Sequence, residues 1–125
     1  PLDADLAQAA GTIPHLTGVP IDRVREMMVA NVQALRTRRL AHPDHFVGGF
    51  YGRPALTLEN LLNLLRTLSP GVTELMCHPG HVDEAFAKES IYNFQRAREF
   101  QILTDPSVKQ AIQMNGIQLV SFADL

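Results

Sequence analysis

Four of the five histidines fall into two pairs of one design, His42-Pro43-Asp44-His45 and His78-Pro79-Gly80-His81. Imidazole titrates near neutrality, which suits it to pass a proton at physiological pH, and it is also a common zinc ligand. A pair at this spacing can share a metal, but two ligands do not make a site. Proline inside each pair breaks helical spacing, so the pairs would have to meet on loops. Hydrogen-bonded loop histidines are the plainer reading, and a metal centre built from this chain alone is not expected. Cys77 directly precedes His78, yet neighbours on a strand point to opposite faces, so a Cys–His nucleophile pair is not expected and the thiol reads as structural. Glu74 shares the face of His78 by alternation. A carboxylate there is costly to bury unless paired, with Arg96 or another cation, or unless it orients a site. Gly48-Gly49-Phe50-Tyr51-Gly52 lacks the helix start and the Lys-Ser/Thr of a phosphate loop.

The elements that must carry these groups alternate between helix and strand. Ala4 to Ala10 can form a short helix ended by Gly11, and Thr12 to Pro20 reads as loop. Ile21, Val24, Met28, Val32 and Leu35 recur as one face of an amphipathic helix over Ile21–Leu40, stopped by Pro43. His45–Tyr51 is short, aromatic and β-branched, and predicts a strand; Thr57 caps a helix to Leu68. The leucines of that helix are core packing, too few for a coiled coil. Val72–Cys77 predicts a second strand, Ser90–Leu103 a helix, Asp105-Pro106 the start of another running to Asn115-Gly116, and Ile117–Phe122 a third strand. Such alternation implies parallel strands with helical crossovers. Functional groups in that architecture gather after the C-terminal ends of strands, where His78 would sit; His42 and His45 would lie at the opposite end of theirs. Three strands leave open edges, and a closed barrel needs about 250 residues. The chain thus reads as one domain, 1–125, that is part of a larger layer completed by upstream sequence or by a second copy.

A single cysteine allows no internal disulfide and points to a reducing, cytoplasmic setting. Net charge is −2 with a pI near 6.2, which gives no footprint for nucleic acid. Arg36, Arg38 and Arg39 read as a solvated helix end. No apolar run is long enough for a membrane span, and the first residues, Pro1-Leu2-Asp3-Ala4-Asp5, form no signal core.

From about Arg39 onward the sequence resembles the YdjC-like carbohydrate deacetylases. The likeness rests on Pro43-Asp44-His45-Phe46 with Gly49-Phe50-Tyr51-Gly52, and above all on Thr73-Glu74-Leu75-Met76-Cys77-His78-Pro79-Gly80. Tyr92, Arg96 and Glu99, then Leu103-Thr104-Asp105-Pro106 and Gly116-Ile117-Gln118-Leu119-Val120 with Phe122, follow in the family's order. Residues 1–20 match no clear family motif, and Ala97 stands where the family often has Glu. The resemblance implies a distorted (β/α) barrel and a metal-dependent hydrolase that removes acetyl groups from N-acetylated sugars such as chito-oligosaccharides. It further implies that this chain is the C-terminal half, a partial barrel of three parallel strands. The family's divalent metal, Mg or Zn, is held by an Asp pair and His-rich strings that do not occur here, so none is expected to bind this chain alone. By motif, His78 is the candidate general acid and Asp44 the candidate that orients a base or contacts sugar. His45, Tyr51 and Arg96 are candidate substrate contacts. Such a piece is expected to be inactive alone and to form a homo-oligomer; a standalone oligomeric binding or assembly module is the alternative.

Overall fold

The computed structural model describes residues 2, 4–6, 18–50 and 55–125. Its elements are α1 (Ile21–Thr37), β1 (His45–Val47), α2 (Leu58–Arg66), β2 (Thr73–Leu75), α3 (Glu84–Glu89), α4 (Phe94–Leu103), α5 (Pro106–Met114) and a closing 3-10 turn, Phe122–Asp124. The chain divides into two compact units. One comprises Pro1–Gly49, Ser69–Met76 and Val120–Leu125, the other Phe50–Leu68 and Cys77–Leu119.

In the first unit, α1 follows the apolar period: Val24 and Val32 are buried, Met28 and Leu35 half-buried, and Ile21 exposed. Its exposed side carries the ion pairs Arg23–Glu26 and Arg25–Asp22. The helix ends three residues before the expected Leu40. Arg39 turns left-handed at φ 55°, and the Leu40 N–H reaches back to the Leu35 carbonyl while that of Arg39 reaches Arg36, a Schellman closure. Residues 4–6 are helical, as expected; the rest of that predicted helix lies outside the described residues.

β1 and β2 pair in parallel, His45 beside Thr73 and Val47 beside Leu75, as the alternation predicted. Both strands are shorter than the sequence suggested. β1 stops at the Gly48-Gly49 pair, which offers no side chains to pack. Side chains supplement this small ladder. Asp44 Oδ2 accepts the Val72 N–H at 2.8 Å, and Asp5 Oδ2 accepts that of Phe46 at 3.2 Å. The turn into β2 passes through Gly71 at φ +115°, where a Cβ would lie 2.7 Å from Asp44 Oδ2.

The expected third strand does not form: among the described residues the sheet has two strands. Residues 117–121 join no ladder, and Leu119, Val120 and Phe122 are exposed. Ser121 and Asp124 instead close a capping box, with the Asp124 carboxylate accepting the Ser121 N–H at 2.7 Å. Local side-chain bonds of this kind compete with strand pairing where no neighbouring edge rewards it.

In the second unit, α2 packs on α5. Phe50, Leu56, Leu61, Leu65, Ile102 and Val108 form its core, each large side chain there contributing roughly 1.5–3 kcal/mol by leaving water. Thr57 caps α2 through the Asn60 N–H, and Asp105 caps α5 through the Ser107 N–H, both as predicted. One helix was missed: Asp83 caps α3, and Ser90 closes it rather than opening α4. Asn93 is the true N-cap of α4, and its side-chain amide also donates to the carbonyls of Ala87 and Ser90.

Gly71→Ala should therefore destabilise the chain by more than about 1 kcal/mol, since it imposes both a strained φ and a clash with Asp44. A urea midpoint unchanged from wild type would show that this turn tolerates a side chain.

Candidate active site

The residues expected to do chemistry fall in both units. In the first, His42 Nδ1 lies 2.8 Å from the Pro43 carbonyl oxygen, and His45 Nδ1 is 3.5 Å from the Asp5 carboxylate. Asp44, exposed, holds the Val72 amide at the N-terminal end of the strand pair. Tyr51 lies outside the described residues. Of the predicted site residues, the second unit brings together His78 and Arg96.

His78 is the second residue of the segment Cys77–Gly80, and α4 holds that segment through two side chains. Glu99 Oε2 accepts the His78 N–H, and Arg96 Nη1 donates to the His78 carbonyl at 3.4 Å. The Gly80 N–H in turn donates to the Arg96 carbonyl at 3.2 Å. Glu99 is fully buried, and its other oxygen, Oε1, accepts the Tyr92 hydroxyl. The Tyr92 ring stands edge-on to that of His78, with centroids 5.7 Å apart and planes at 70°. Arg96 also donates through Nε to the Tyr92 carbonyl at 3.1 Å, and its guanidinium lies 5.4 Å from the centre of the Phe86 ring and 5.9 Å from that of Tyr92. His81 packs against Phe100 with centroids 4.6 Å apart.

Sequence reasoning offered Arg96 as a partner for Glu74; Arg96 instead serves the His78 peptide and the Tyr92 carbonyl. The carboxylate that matters is Glu99, which the sequence presented only as part of a motif. A signal was available, because Glu99 stands three residues before the buried Ile102 on one face of α4. A charge on an apolar stripe implies donors waiting for it. Burial, and after it the Glu99 charge, push the Cys77 thiol above its ordinary range. The thiol therefore stays protonated at neutral pH and is a poor nucleophile, in line with a structural role.

Comparison with known proteins decides the lineage. The family model described as YdjC-like protein matches residues 4–114. The chain belongs to the YdjC-like family. A carbohydrate deacetylase of Geobacillus stearothermophilus is 35% identical over 94 residues, covering 74% of this chain and 38% of that protein. One from Vibrio campbellii is 33% identical and covers 93% of this chain and 47% of its own length. A chitooligosaccharide deacetylase of Yersinia enterocolitica is 37% identical over 65% of this chain and 32% of its own. A crystal structure from Enterococcus faecalis, described as a candidate cellobiose-phosphate cleavage protein, superposes with a TM-score of 0.65 at 29% identity, over 86% of this chain and 39% of that one. This YdjC-like chain thus spans between about a third and a half of the length of these relatives.

Among the described residues no group of three or more His, Cys, Asp and Glu side chains converges as a set of metal ligands. Nor, among the described residues, is any helix long and apolar enough to cross a membrane.

Tyr92→Phe should cost about 1–2 kcal/mol of stability, since it leaves one oxygen of a buried carboxylate without its donor. Urea unfolding with an unchanged slope would read this directly; a loss below about 0.3 kcal/mol would mean that water replaces the phenol.

Proposed function

We propose that this chain forms one wall of the active site of a metal-dependent deacetylase acting on N-acetylated sugars, and that it is not a catalyst by itself. The reading is carried by the Cys77–Gly80 segment: a family signature whose histidine is held at both its main-chain N–H and its carbonyl by buried or half-buried side chains. The names of the relatives, carbohydrate and chitooligosaccharide deacetylases, support the substrate class.

In this proposal His78 gives a proton to the amine nitrogen as the amide C–N bond breaks, or steadies the developing oxyanion. Asp44 orients a base or meets a sugar hydroxyl, and His45, Tyr51 and Arg96 contact substrate. The groups that hold the divalent metal, Mg or Zn, belong to family segments whose strings are absent from these 125 residues. A cytoplasmic setting, suggested by the lone Cys77, belongs to the same proposal. So does self-association, which the exposed Leu119, Val120 and Phe122 support.

Incubated with N-acetylglucosamine oligomers and added Zn or Mg, the chain should release no acetate above a His78→Ala control. Release above that control would overturn the reading of an incomplete catalyst. In a longer gene product carrying this chain, His78→Ala should lower kcat by about 10²–10⁴-fold. An unchanged kcat would remove His78 from proton transfer.

A further inference from the structure

Both hydrogen-bonding groups of the His78 main chain are engaged by side chains of α4 one turn apart. Glu99 takes the N–H, and Arg96 gives to the carbonyl. The same carboxylate takes the hydroxyl of Tyr92, whose ring edge meets the imidazole. The histidine backbone and the ring beside it are thus referred to one fully buried acceptor. We infer that Glu99 is a positioning residue for His78: it fixes where the imidazole stands and which way it points, with Arg96 and Tyr92 completing the clamp, and it does not touch substrate.

Two donors converge on this position, and a carboxylate serves both best. Its two oxygens each accept one donor, and charge-assisted bonds of this kind are about twice as strong as neutral ones. Glutamine has one acceptor oxygen and an NH2 that faces a donor, so it serves one partner well and the other poorly. Leucine fills the space and serves neither. Positioning matters because a displacement on the order of 1 Å can cost about 100-fold in rate. The catalytic consequence rests on the role proposed for His78; the clamp itself does not.

The test therefore has two parts. In the 125-residue chain, amide exchange at His78 should quicken on the order of tenfold in Glu99→Leu and by less in Glu99→Gln. Tyr92→Phe, a milder change that guards against a misfolded leucine variant, should quicken it a few-fold. Cys77 should also react faster with iodoacetamide near pH 8 in Glu99→Gln, because the carboxylate that helps to hold its thiol up is gone. In a longer gene product carrying this chain, Glu99→Leu should lower kcat by roughly 10- to 100-fold with KM changed less than about twofold, and Glu99→Gln should recover much of the loss. Unchanged His78 exchange in folded variants would overturn the clamp. Altered exchange with an unchanged kcat, where His78→Ala is inactive, would overturn the positioning role. Should His78→Ala itself be harmless, the proposed role of His78 fails and positioning falls with it, while the exchange data still establish the clamp.

Discussion

A carboxylate with no exposure to water is tolerable only where donors stand in for the lost hydration, and Glu99 meets that condition with two. One donor is the His78 main chain, twenty-one residues earlier in sequence, and the other is Tyr92, just ahead of α4. The bonds are mutually dependent. Remove either partner and a buried charge is left underserved; remove the charge and a half-buried amide and phenol lose this acceptor. That reciprocity holds the family's signature segment to a helix that buries only two residues, Glu99 and Ile102. Burial of Cys77, and after it the same charge, raise its thiol above the ordinary range.

The first unit uses the same device in a more solvated form. Two strands of three residues each give few ladder bonds, and a sheet of that size is marginal in water. Asp44 and Asp5 supply acceptors to the amides of Val72 and Phe46, which supplements the short ladder. The use of Asp44 here also explains why a glycine stands at position 71. A side chain would meet the carboxylate before it met anything else.

Much of this was legible from residue order. The stripe Val24-Met28-Val32-Leu35, the caps Thr57 and Asp105, and the parallel pairing follow from periodicity and local hydrogen-bond chemistry, which act over a few residues. Ile117–Phe122 reads as a strand for a good reason, since its residues suit a pleated surface, but a strand exists only with a partner edge. Helix α3 was invisible because Glu84–Glu89 is short and buries nothing, leaving no apolar period to read. The candidate site was half legible. His78 and Arg96 stood out by type and motif, whereas the link through Glu99 depends on a fold-made contact across twenty-one residues that no local pattern encodes.

If the buried carboxylate is the shared anchor, its partners cannot be energetically independent. A double-mutant cycle over Tyr92→Phe and Glu99→Gln, read by urea unfolding, measures this directly. The account predicts a coupling of about 1 kcal/mol or more, within the range for residues that share one hydrogen-bond network. Costs that simply add to within about 0.3–0.5 kcal/mol would show that Tyr92 and Glu99 act separately, and would contradict it.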